Sequence, residues 1–271
     1  MANLTSVFDP SFFINGMTGL LASNVLVSLP ANIYVIWLIV SESSGPVVSE
    51  LFALNLAVSE ILFCCSSFYI MVHFLLEMSR AVGVLLLQLF LEIILISRPI
   101  FQTCICLERY LAVVHPTLFL RFKPLRYRLL FCVADWLLIL LNLIYRVFVT
   151  SLNNLAYFFI AKSLLFFSIL SYCGICVLLI LKQPSPGDGV RSSGNWNSMK
   201  RKAFKVIIIT LVFNSVTQLL QMTMLGPTVL HTSLKLILQI MLFNLAVNIS
   251  SSFITPLLFL QRAGKLPCIK F

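Results

Sequence analysis

Apolar runs of about 20 residues recur along the whole chain, each the length that carries an α-helix across the hydrocarbon core of a bilayer. They read Met17 to Val40, Leu51 to Leu76, Val82 to Val114, Leu129 to Val149, Tyr157 to Leu181, Val206 to Leu225 and Lys235 to Leu260. The pattern predicts seven spanning helices. Only Thr150 to Ala156 divides the fourth span from the fifth, and the Asn153-Asn154 pair is the best turn signal there. Pro30, Pro99 and Pro256 fall inside spans, where a membrane helix tolerates a kink if its neighbours satisfy the freed carbonyl. The expected organisation is an outer N-terminal segment, 1–16, a seven-helix domain over 17–260 and a short inner tail, 261–271. No cleavable signal is expected, because the N-terminus lacks a basic region and the first long apolar run serves better as a span.

Composition agrees with the bilayer as solvent. Of 271 residues, 60% are hydrophobic and only 10% charged, more apolar surface than one soluble core could hide. A net charge of +10 would suggest nucleic acid in a soluble domain, but here the bases lie between spans and read as topology. Arg121, Lys123, Arg126 and Arg128 follow span three; Lys182, Arg191, Lys200, Arg201, Lys202 and Lys205 follow span five; Arg262, Lys265 and Lys270 lie in the tail. The alternate connections carry only Arg80, with Lys235 at a span's edge. Positive residues stay inside, so the C-terminus is expected in the cytoplasm and the N-terminus outside. Asn3 in Asn3-Leu4-Thr5 is then a glycan acceptor on the outer side, and Cys268 beside Lys265 and Lys270 a palmitoylation candidate.

Charged residues inside spans are functional candidates by default. At 1.5 Å of rise per residue, Glu60 lies about 15 Å in from Glu50, and Arg98 about 16 Å in from Arg109, so both are near the midplane. They are expected to pair. Asn244, Asn248, Ser251 and Thr255 make one polar face of the seventh span. A functional role and a pair that only fixes packing both remain open for the midplane charges. A second group, Glu92, Arg146 and Lys162, lies about 25 to 30 Å above the inner face, with His73 and Lys235 near that level. Three bases against one acid lean towards an anionic ligand such as a nucleotide, an acid or a lipid phosphate; the alternative is that Glu92 pairs with Arg146 while the lysines snorkel outward.

The inner end of span three carries Glu108-Arg109-Tyr110, followed by Leu111-Ala112-Val113-Val114-His115-Pro116. Arg109 sits where the helix meets water, and on position alone it could anchor the span or be offered to a partner. Elsewhere stand Asn32 in Pro30-Ala31-Asn32, the run Leu54-Asn55-Leu56-Ala57-Val58-Ser59-Glu60, Trp136, Tyr172 and Thr255-Pro256-Leu257-Leu258-Phe259. In this order the motifs resemble the rhodopsin-like family of G-protein-coupled receptors, from about Pro30 to Phe259. The resemblance implies an all-α membrane protein, a seven-transmembrane bundle in the plasma membrane. It implies a receptor for an extracellular ligand that activates a heterotrimeric G protein. Glu108, Arg109, Tyr110, Pro116 and Tyr172 would form the coupling switch, with Glu108 restraining Arg109 at rest. Asn32, Glu60, Arg98, Asn248, Ser251, Thr255 and Pro256 would form the buried polar core, with Arg98 standing in for the sodium ion that relatives hold there.

The chain also departs from the family pattern. Its cysteines lie within spans or in the tail, so the family's disulfide to the second outer loop cannot form, and Val84 lies near where its first cysteine would be. Span six has Phe213-Asn214-Ser215-Val216-Thr217-Gln218 and no proline between Val206 and Gly226. These departures favour an alternative, a seven-helix protein that does not couple, such as a scaffold or partner receptor. A transporter or channel is a third reading. His73, His115 and His231 are scattered without ligands at metal spacing, and no phosphate loop or nucleophile elbow is present, so neither metal, cofactor nor enzyme is expected.

Overall fold

A computed structural model describes residues 10–41, 50–76, 80–148, 152–182, 208–220, 222 and 234–262. All regular structure among the described residues is helical. Helix α1 (Pro10–Ser23) runs through a π-helical turn, Asn24–Ser28, into α2 (Leu29–Ser41). There follow α3 (Leu51–Leu75), α4 (Arg80–Val114), α5 (Pro116–Phe122), α6 (Leu125–Phe148) and α7 (Leu152–Lys182). Residues Ile208–Leu220 form α8 and Leu234–Arg262 form α9.

Five described stretches are long and apolar enough to cross a membrane: Phe13–Ser41, Leu51–His73, Leu125–Tyr145, Ile160–Ile180 and Leu238–Gln261. Helix α4 is longer than any of them at 35 residues, but Glu92, Arg98, Glu108 and Arg109 interrupt its apolar run. Exposed Leu130, Val133, Leu137, Leu141 and Ile144 follow one side of α6 at helical spacing, a face that lipid rather than water can cover.

Most helices overrun the apolar runs that announce them. The first begins at Pro10 instead of Met17, with proline in the first turn where its missing N–H is not needed. Helix α6 begins at Leu125 instead of Leu129 and α9 ends at Arg262. Backbone hydrogen bonding does not stop where the hydrocarbon does, so basic interfacial residues remain helical. The Asn153-Asn154 pair is no turn: both lie in the first turn of α7, which starts at Leu152 instead of Tyr157. Helix α5 is a further short element in what the sequence presented as a loop, with Pro116 at its start.

Helix α4 is the central staff, packed against α3, α5, α6 and α7, while α1, α2, α3 and α9 form the neighbouring group. Met17, Leu21, Phe63, Ile70, Leu245 and Ile249 join α1, α3 and α9. Leu56, Ile96, Ile100, Phe101 and Ile139 join α3, α4 and α6. Both clusters bracket a polar centre.

Two of the three prolines inside helices are matched by a local adjustment. Before Pro30 the chain widens into the π turn, which relieves the clash between the ring and the carbonyl one turn back. Pro256 cannot donate to the Ser252 carbonyl, and the Asn32 amide donates to that carbonyl instead at 3.4 Å. Pro99 lies inside α4, where Thr103 Oγ1 donates to its carbonyl at 2.6 Å.

Candidate functional site

The faces of α4 decide where its polar side chains go. Successive residues turn about 100°, so Arg98, Gln102, Cys106 and Arg109 share a face, while Phe101, Cys104 and Glu108 share another. The first face looks into the bundle and the second at α6.

About three turns along α4 from Arg109, Arg98 and Glu60 meet, 2% and 3% exposed. The contact is bidentate: Arg98 Nε donates to Glu60 Oε1 at 2.7 Å and Nη2 to Oε2 at 2.8 Å. Arg98 Nη1 donates to the Asn248 carbonyl at 2.9 Å and to Asn248 Oδ1 at 3.0 Å. Ser252 Oγ donates to Glu60 Oε2. The carboxylate and guanidinium are thus matched in charge and geometry, the condition under which such a pair survives in low dielectric. The chain of contacts continues: Asn248 Nδ2 donates to Asn244 Oδ1 at 2.6 Å, and Asn244 Nδ2 donates to the Leu220 carbonyl at 3.0 Å. One polar path therefore joins α3, α4, α9 and the end of α8.

Of the other expected core residues, Asn32 donates to the Ser28 carbonyl at 2.8 Å as well as to Ser252. Thr255 Oγ1 donates to the carbonyl of the fully buried Ser251 at 2.9 Å. Ser252 was not expected. It follows Ser251 directly, one position to the side of the polar stripe of α9, and its role emerges only from the rotation of α9 against α3.

Around the Arg109 end of α4 the helices border a cavity of about 190 Å³. Gln102, Ile105, Cys106 and Arg109 of α4 line it at helical spacing, opposite Asn214 of α8 and Thr255 of α9. Most of the wall is apolar, with Leu56, Leu211, Phe213 and Phe259 among its members, and Glu50 also borders it. A cation on an apolar wall suits a helical peptide with a polar or carboxylate end.

The expected restraint of Arg109 by Glu108 gives way to a different pair. The Glu108 carboxylate meets Arg128 of α6 at 2.5 Å, on the side of α4 that faces α6. Arg128 is accordingly no loop cation; it is 4% exposed and its guanidinium lies 5.8 Å from the Phe119 ring centroid. Tyr110 meets both Tyr172, with ring centroids 5.9 Å apart, and His115, whose Nε2 is 3.4 Å from the phenol oxygen. Farther in, the Cys104 thiol donates to Asp135 Oδ2 at 3.2 Å, and Trp136 Nε1 to Asn55 Oδ1 at 2.9 Å. Asp135 and Gln102 carried no sequence signal beyond being polar inside a span, which was the signal to follow.

The outer candidates are less fully placed. His73 is buried with its ring 6.4 Å from that of Tyr69, and Lys162 Nζ lies 5.9 Å from the Phe158 centroid. The side chains of Glu92, Arg146 and Lys235 lie outside the described residues, as do Asn3 and Cys268. The seven described cysteines are free. Among the described residues no cluster of His, Cys, Asp and Glu could hold a metal ion.

A family model described as 7 transmembrane receptor (rhodopsin family) matches residues 31–259. A purinoceptor of Gallus gallus is 28% identical over 120 residues, covering 43% of this chain and 33% of that protein. Chemokine XC receptor 1 of Homo sapiens is 32% identical over 126 residues, covering 43% of this chain and 35% of that protein. The matched stretches thus span about a third of the length of these curated relatives.

Proposed function

The chain belongs to the rhodopsin family of 7 transmembrane receptors, and on that premise we propose that it binds a ligand at its outer side and activates a heterotrimeric G protein at its inner side. The family is one of receptors and not of enzymes. The observation that carries the proposal is Arg109 on the wall of the inner cavity, with α8 and α9 opposite. A helical segment of the G protein would insert there, its apolar side on Leu211, Phe213 and Phe259 and its polar end on Arg109. The excess of Lys and Arg in the connections at that end supports a cytoplasmic location for it, with the N-terminus outside and the chain in the plasma membrane.

Ligand binding would shift a two-state bundle in which α8 moves relative to α4 and α9. Lys162 and His73, together with Arg146 and Lys235 by position, support an anionic ligand. One relative is named a purinoceptor and the other a chemokine receptor, so purine nucleotides are the first anionic class to offer.

A non-coupling role is favoured by one observation: the polar path from Glu60 to the Leu220 carbonyl ties α8 to the centre. Nucleotide exchange separates the two. In membranes carrying the full chain and a promiscuous G protein, wild type should exceed Arg109→Ala by about tenfold, the loss of one charge-assisted contact. Equal exchange in the two at equal surface expression would reject coupling through the cavity.

A further inference from the structure

The pair at the foot of α4 has a consequence for its neighbour. Glu108 is attached one residue before Arg109, so with no other cation at hand its carboxylate would turn to that guanidinium. Arg128 supplies the other cation. It projects from the first turns of α6 onto the Cys104–Glu108 face of α4, where it is 4% exposed, at 2.5 Å from Glu108 and under the Phe119 ring. A buried guanidinium between an aromatic face and a carboxylate is held by charge, hydrogen bonding and stacking together. Arg109, on the other face, borders the cavity with Gln102 and Cys106.

We infer that Arg128 is a positioning residue: by capturing Glu108 against α6 it leaves the Arg109 guanidinium presented to the inner cavity. The functional weight of this device rests on the reading of that cavity as the coupling site, but the presentation of Arg109 can be measured without a G protein. Helix α5 participates through Phe119, so the connection after α4 sets the state of Arg109 from the side, without touching it.

The probe is phenylglyoxal, which modifies accessible guanidinium groups, applied to the purified full chain in lipid nanodiscs. Modification is read by mass spectrometry of the peptide carrying Arg109. Arg128→Gln should slow modification of Arg109 about tenfold, the factor that one charge-assisted hydrogen bond to the released Glu108 imposes. Arg128→Lys, which keeps a cation, should retain most of the wild-type rate. The double variant Glu108→Gln with Arg128→Gln should recover it, because the carboxylate that Arg128→Gln releases is gone, while Glu50, which borders the same cavity, is unchanged in every variant. A purely structural role for the pair predicts the reverse, a double variant no better than the single one.

Wild-type reactivity in Arg128→Gln, or failure of the double variant to recover, would overturn the inference. Nucleotide exchange on the same preparations keeps the two proposals apart. If modification follows the expected order while wild type drives no more exchange than Arg109→Ala, coupling falls and the positioning role stands. If exchange depends on Arg109 while its modification ignores Arg128, the positioning role falls and coupling stands.

Discussion

The Arg98 guanidinium is 2% exposed, and Glu60, Asn248 and Ser252 make the burial of its charge tenable. Removing one member of such a pair leaves a buried charge without compensation. Arg98→Ala should therefore destabilise the folded chain by about 3 to 5 kcal/mol, read as a lowered Tm in detergent and reduced surface expression. A lipid-facing change such as Leu141→Ala should leave both nearly unmoved, and an Arg98→Ala protein as stable as wild type would refute the account of the pair. The meeting of Glu60 and Arg98 was legible in the sequence because opposite charges at equal depth have few alternatives in hydrocarbon. The partner of Glu108 was not legible. The neighbour in sequence, Arg109, was the partner within reach of Glu108, and the partner across the helices, Arg128, looked like one more inner-loop base.

At the scale of the helices, apolar runs located the elements and interfacial polar residues hid their ends. Pro30 and Pro256 show what the runs could not: each proline is matched by a device elsewhere, a π turn before one and the Asn32 amide for the other. A second device is the close approach of α7 and α8 at Gly174, where an added Cβ would come 2.5 Å from Leu211 Cδ1. Alanine there can be met by a new Leu211 rotamer, whereas a large side chain has to separate the helices. Gly174→Leu should cost about 1 to 3 kcal/mol of stability by overpacking, measured as a drop in Tm. An unchanged Tm would mean that α8 does not pack on α7 as described.

For the whole molecule, the arrangement places a rigid polar centre above an inner cavity. Helix α4 joins them, carrying Arg98 at one level and Arg109 at the other on one face. The five described stretches long and apolar enough to cross a membrane were readable because a bilayer demands nearly continuous apolar helices; the cavity was not, because it arises from the mutual rotation of α4, α8 and α9. The Asn244 amide donates to the Leu220 carbonyl, a polar tie between α9 and α8 that motion of α8 would have to break. The cavity bordered by α4, α8 and α9 is proposed to receive a helical segment of a G protein. Photocrosslinking from inside the cavity tests it most directly, with a photoreactive phenylalanine analogue at Phe213 or Phe259 of the full chain, both of which line it. The expected result is an adduct with the C-terminal segment of the G-protein α subunit that disappears on adding guanine nucleotide and is lost in Arg109→Ala. An adduct indifferent to nucleotide and to Arg109, or none with the α subunit, would contradict it.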